Sequence, residues 1–107
     1  MDDMELDYYT VPKVLWLDTQ YSHLSLEDML IYAVLKDHVS RSIERGWIDE
    51  TGAVYLDYSL PYLSKLFGIS RTKMREVMAR LEECDLIERE MVYDIRLRQY
   101  RTYVVEL

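Results

Sequence analysis

The chain has 107 residues, 50% of them hydrophobic and 31% charged, with a formal net charge of -7. That length and balance fit one folded globular domain and exclude a disordered or low-complexity chain. No apolar run approaches the roughly 20 residues that cross a bilayer, the start "MDDMELDYY" is acidic, unlike a secretory or transit peptide, and the single Cys84 can form neither an internal disulfide nor a CxxC pair. A cytoplasmic protein without membrane attachment is expected.

Residues 1–20 read as an extended N-terminal arm. "YYTVPKVLWL" mixes β-branched and aromatic residues, and Pro12 holds Val11 extended. Tyr8, Tyr9, Trp16 and Tyr21, with Trp47, are expected to cluster between the arm and the first long helix, in the core or at a dimer contact, rather than to stack on bases. Lys13, after Pro12, suits either a phosphate or solvent.

Ser25 followed by Asp28 makes a capping-box pattern and opens a helix predicted over 26–45. From Met29 to Leu35 that helix is apolar all round, so it must be covered on several sides, by this domain or by a second copy. Gly46 stops it, Glu50-Thr51-Gly52 forms a turn, and Ala53 to Tyr58 reads as a short strand with Val54, Leu56 and Tyr58 on one face.

Residues 59–83 read as a helix-turn-helix. Ser59 caps a short helix with Pro61 in its first turn, Gly68 supplies the left-handed residue that ends it, and Ser70 caps the next helix. Met74, Val77, Met78 and Leu81 recur at i, i+3, i+4 and i+7, one buried stripe. A short helix, a turn containing glycine and a longer amphipathic helix make the motif. Residues 86–107 turn strand-like: one strand near Leu86 to Ile95, a turn at Arg96 to Tyr100, a return strand from Arg101. A β-ribbon directly after such a helix is a wing. The chain is therefore expected to be one α+β domain, a winged helix-turn-helix of three to four helices with a small antiparallel β-sheet, in which the 53–58 strand pairs with the ribbon.

Charge is unevenly spread over this frame. Met1 to Asp7 holds four acids and no base. Asp18 to Asp57 holds eight acids against Lys36, Arg41 and Arg45. Ser70 to Arg80, however, sets Arg71, Lys73, Arg75 and Arg80 against Glu76 alone, and Arg96, Arg98 and Arg101 fall on the wing. At 100° per residue, a core-facing stripe turns Thr72, Glu76, Ala79 and Glu83 outward, with Arg75 on one flank and Lys73 and Arg80 on the other. Arg and Lys can donate to guanine acceptors, Glu can accept from the cytosine amine, and Thr or Ala can touch a thymine methyl. Thr72, Lys73, Arg75 and Glu76 are thus candidates for base readout beside Ala79. Arg71, Arg80 and the wing arginines, interleaved with Gln99 and Tyr100, are candidates for phosphate or minor-groove contact.

Two other readings of these residues stand beside that one. The cations can be a solvated face, with Arg75 and Glu76, or Arg80 and Glu83, keeping the surface soluble. Alternatively, the domain is a protein-interaction winged helix whose basic face meets an acidic partner. His23 and His38 have no Cys or His in ligand spacing, and Met4, Met29, Met74, Met78 and Met91 suit core gaps. No phosphate-cradling glycine loop, nucleophile elbow or carboxylate dyad is recognisable. No cofactor, metal or catalytic residue is assigned.

From Tyr8 to Glu90 the chain resembles the N-terminal domain of RepA_N-type plasmid replication initiators of low-GC Gram-positive bacteria. The resemblance rests on Val11-Pro12-Lys13, on the turn Gly46-Trp47-Ile48-Asp49-Glu50-Thr51-Gly52-Ala53-Val54-Tyr55, and on Leu86-Ile87-Glu88-Arg89. It implies a winged helix that binds repeated double-stranded DNA sites at a replication origin, commonly as a homodimer, in proteins whose C-terminal domain engages host replication factors. A transcriptional repressor would use the same helix on a different site. Family wings often carry glycine and proline at the tip; "RLRQYR" here has neither. The chain is also shorter than a full initiator, as expected of a domain, of a short relative on an integrated element, or of a protein that keeps DNA binding without initiation.

Overall fold

The computed structural model describes residues 8–93 and 98–107. The acidic stretch 1–7 and the wing tip at 94–97, with Arg96, lie outside them.

Most of the arm is not extended. Val14–Leu17 forms a one-turn helix, α1, and Thr19–Tyr21 a 3-10 turn in which the Asp18 carboxylate accepts from the Gln20 N–H. Strand-like composition gave way to burial: the turn drives Leu15 and Tyr21 into the core. Tyr8, Tyr9 and Trp16 stay exposed, so of the arm's aromatic residues only Tyr21 joins this domain's core. Trp47 instead meets Tyr58 edge-on, with ring centroids 5.4 Å apart, and the Arg45 guanidinium lies 5.0 Å from the Trp47 ring centre.

Helix α2, Leu26–Ser42, opens on the expected capping box. Asp28 N–H donates to Ser25 Oγ at 3.1 Å, and Ser25 N–H donates to Asp28 Oδ2 at 3.0 Å. Met29 and residues 31–35 are all buried, as an all-round apolar segment requires, whereas Leu26 and Leu30 face outward. The helix ends three residues before the expected Arg45. Trp47 N–H turns back to the Ser42 carbonyl, and Gly46 takes a positive φ.

The expected 53–58 strand is reduced to two isolated bridges. Ile48 meets Val54, closing a turn that Gly52 permits at φ +88°, and Leu56 meets Thr102. The second bridge is the anticipated link to the ribbon, confined to one residue pair.

Helices α3, Leu60–Phe67, and α4, Arg71–Glu83, form the helix-turn-helix. Ser59 and Ser70 accept from Tyr62 N–H and Lys73 N–H. Gly68, at φ +67°, makes the left-handed corner, and both its N–H and that of Ile69 donate to the Ser64 carbonyl. Met74, Val77, Met78 and Leu81 pack with Leu15, Ile31, Tyr32, Leu35, Leu63, Leu86 and Ile87 in one core. Each fully buried side chain of that stripe stabilises the fold by about 1.5–3 kcal/mol, which fixes the helix's rotation and its outward face.

The wing is an antiparallel ribbon of β1, Ile87–Tyr93, and β2, Arg98–Val104, with Ile87 opposite Val104 and Tyr93 opposite Arg98. Arg98, Gln99 and Tyr100, expected in the turn, are strand residues paired with Tyr93, Val92 and Met91. The ribbon's root is buried at Ile87 and Thr102, and the Tyr32 hydroxyl donates to the Val105 carbonyl at 2.6 Å. The architecture is a winged helix of the α+β class.

Candidate nucleic-acid interface

With the stripe of α4 in the core, Arg71, Thr72, Lys73, Arg75 and Glu76 are exposed and Ala79 and Arg80 are half-buried. Among the described residues Arg71 and Arg75 enter no ion pair or side-chain hydrogen bond. They stand on the first two turns, as the sequence led us to expect.

The other two cations, Lys73 and Arg80, expected to be available for base and phosphate contact, are not bare: each meets a carboxylate of α2. Arg80 Nε lies 2.8 Å from Asp28 Oδ2, and Arg80 Nη2 lies 3.0 Å from Asp28 Oδ1, a two-pronged pair between α4 and the start of α2. Lys73 Nζ lies 3.2 Å from Glu27 Oε1. Lys73 and Arg80 are seven residues apart, about two helical turns, so both point to the same side. There they meet adjacent acids of α2. The anticipated pairs of Arg75 with Glu76 and Arg80 with Glu83 do not form.

Asp28 is fully buried. Burial would raise its pKa, but the Arg80 hydrogen bonds and the Ser25 backbone N–H outweigh that and hold the carboxyl below its ordinary value. Arg80 is correspondingly raised, chiefly by its bond to Asp28. Sequence showed Asp28 only as a helix cap. Its partner lies 52 residues away, and no local pattern announces such a pair.

On the wing, Arg101 is half-buried, and its guanidinium lies 4.7 Å from the Tyr55 ring centre and 3.9 Å from carboxylate oxygens of Glu50 and Glu90. It ties the ribbon to the 48–54 turn. Beside it the Tyr103 hydroxyl donates to Asp49 Oδ2 at 2.8 Å, while Asp49 Oδ1 accepts from Thr51 and Ala53. The Thr51 hydroxyl is the largest of the influences that pull the Asp49 carboxyl far below its usual range. Tyr100 is exposed with Arg89 beside its ring. Arg98 opens β2, and Arg96 lies outside the described residues.

Three further features frame this surface. Val11, Trp16, Leu17, Leu26 and Leu30 line an apolar groove of about 480 Å³ on the arm side of α2. Among the described residues no helix is long and apolar enough to cross a membrane. Nor does any group of three or more His, Cys, Asp or Glu residues form a metal-holding cluster there.

Known proteins share this architecture. A solved structure described as "N-Terminal domain of DNA binding protein" superposes with a TM-score of 0.84 at 25% identity, covering 92% of this chain and 74% of that one. A "Structure of Rep-DNA complex" gives the same TM-score and identity over 92% and 75%, and a "Structure of MDR initiator" gives 0.81 at 26% over 92% and 76%. A "41 kDa protein" of Lactobacillus helveticus is 26% identical over 81 residues, 76% of this chain but only 23% of that relative's length. The family model described as "Replication initiator protein A (RepA) N-terminus" matches residues 7–106. With that match running through α1 to α4 and both strands of the wing, the chain belongs to the replication initiator protein A N-terminal family.

Proposed function

We propose that this domain binds duplex DNA sequence-specifically at repeated sites of a plasmid or mobile-element replication origin, as the DNA-contacting part of an initiator. One observation carries the reading: the first two turns of α4 present Arg71, Thr72, Arg75 and Glu76 to solvent while the opposite face is locked in the core. A helix so placed enters the major groove by its N-terminal half. Family membership and the likeness to a Rep-DNA complex support it. Binding, not catalysis, is the proposed activity, in the cytoplasm.

In this reading Arg71 takes a phosphate, Thr72, Lys73, Arg75 and Glu76 read base edges, and Ala79 leaves room for a thymine methyl. The wing arginines Arg96 and Arg98 add backbone contact. Arg80, given its bond to Asp28, orients α4 rather than touching phosphate, and Arg101 secures the root of the wing. A homodimer on direct repeats, with the apolar groove between arm and α2 buried in it, and host replication proteins engaged through a C-terminal domain complete the proposal. A repressor differs only in where its site lies.

Arg75→Ala is expected to lose about 1–3 kcal/mol of discrimination between a cognate and a scrambled duplex, the value of one good base contact. Arg71→Ala is expected to weaken both complexes alike and to flatten the salt dependence. Titration of labelled duplexes at two salt concentrations checks both. Equal losses on both duplexes for Arg75→Ala defeat the readout assignment, and no cognate preference in the unaltered domain defeats the function.

A further inference from the structure

The Lys73–Glu27 pair lies where the proposed interface begins, yet Glu27 stands outside the helix-turn-helix. We infer that Glu27 is a positioning residue for DNA recognition: it reserves Lys73 for base edges by denying it to phosphates. The inference rests on the DNA-binding reading above.

Lys73 is the third residue of α4, on the end that enters the groove, and its ammonium sits 3.2 Å from Glu27 Oε1 with both side chains about half exposed. Glu27 is not a freely drifting surface acid. It precedes Asp28 in the first turn of α2, and Asp28 grips Arg80 two turns further along the same side of α4. The carboxylate is thus anchored beside Lys73 by the pair that locks the two helices together. An exposed pair contributes at most about 1 kcal/mol to stability, so stability gives little reason for it.

Its effect on binding is larger. An ammonium has three N–H donors, and Glu27 meets this one as an ion pair at 3.2 Å rather than through a hydrogen bond. Donors are therefore left for the paired acceptors of a guanine edge, so Lys73 reads a base without leaving the carboxylate. A phosphate has no such option, because it must approach the same carboxylate as a like charge. On random duplex, where binding comes from phosphate neutralisation, the pair stays closed and Lys73 adds nothing. Glu27 therefore suppresses wrong binding more than right binding, a repulsive element used for specificity.

Glu27→Gln removes the charge and keeps the shape. One regained phosphate contact steepens the dependence of log affinity on log salt by about 0.9. Affinity for random duplex should rise about threefold to tenfold at 0.1 M salt, as one such contact gives. Affinity for the cognate repeat should change by less than about twofold, so the preference narrows by the difference. Glu27→Ala should give the same pair of changes, and keeps the test open if the glutamine variant folds poorly. In a Lys73→Ala background neither substitution should change the slope, because no cation is then freed to take a phosphate. If the unaltered chain prefers its repeat but Glu27→Gln leaves the slope unchanged, or raises both affinities equally, the inference is overturned and the function stands. If the unaltered chain shows no preference, both fall.

Discussion

Arg80→Ala is expected to destabilise the domain by about 3–5 kcal/mol, the usual cost of leaving one member of a buried ion pair without the other. The stranded group would be Asp28, whose side chain is fully excluded from solvent, whereas the Arg80 side chain keeps 34% of its exposure. That asymmetry ranks the two single changes. Without Asp28, the guanidinium can turn toward water; without Arg80, the carboxylate has only the Ser25 N–H and nowhere to go. Asp28→Ala should therefore cost less, in spite of the lost capping box. Small domains have about 5–15 kcal/mol of stability in all, so the difference is easily resolved by urea denaturation at pH 7. A loss below about 1 kcal/mol for Arg80→Ala would return this arginine to the set available for phosphate.

Acid reports on the same pair with opposite signs. In the unaltered protein the folded Asp28 pKa lies below its ordinary value. The unfolded chain binds that proton more readily, so the contribution is present above the ordinary carboxylate pKa and is lost as pH falls through the folded value. Without Arg80 only the Ser25 hydrogen bonds oppose the burial effect, so the folded pKa is higher than in the unaltered protein. The variant's penalty is then largest at neutral pH and shrinks on acidification. Urea midpoints of the two proteins should draw together as pH is lowered from 7 into and below the ordinary carboxylate range.

Leu56→Ala is expected to cost about 2–5 kcal/mol. Leu56 is completely buried, and its backbone exchanges two hydrogen bonds with Thr102, N–H to carbonyl at 2.8 Å and the reverse at 3.0 Å. Those bonds survive the substitution, so the loss comes from vanished side-chain contacts and the cavity left behind. The denaturant midpoint should fall with an unchanged slope, since the same surface is exposed on unfolding. A loss under about 1 kcal/mol would mean that the segment before α3 collapses inward, and that the bridge alone holds the wing root.

The serine caps, Gly68 and the 74–77–78–81 stripe were legible because each is a local signal whose physics is complete within one or two turns. So was the exposure of Arg71 and Arg75, which follows from that stripe by rotation alone. Val14–Leu17 misled because a one-turn helix has too little periodicity to outweigh β-branched and aromatic composition. Arg98 to Tyr100 misled for a related reason: polar residues read as a turn until their partners Tyr93, Val92 and Met91 are known. Glu27 and Asp28 were visible as acids and as a cap. Their grip on Lys73 and Arg80 depends on how α2 crosses α4, a property of the whole fold.

The Leu56–Thr102 bridge has a mechanical consequence. From Thr102 to Arg98 the strand runs roughly 14 Å at about 3.4 Å per residue, a lever fulcrumed where the ribbon joins the body. A tilt of roughly 10 degrees there sweeps the far end through about 2.4 Å, close to the reach of one hydrogen bond. Small adjustments in packing under Leu56 are thereby magnified at the Arg98 end of the strand.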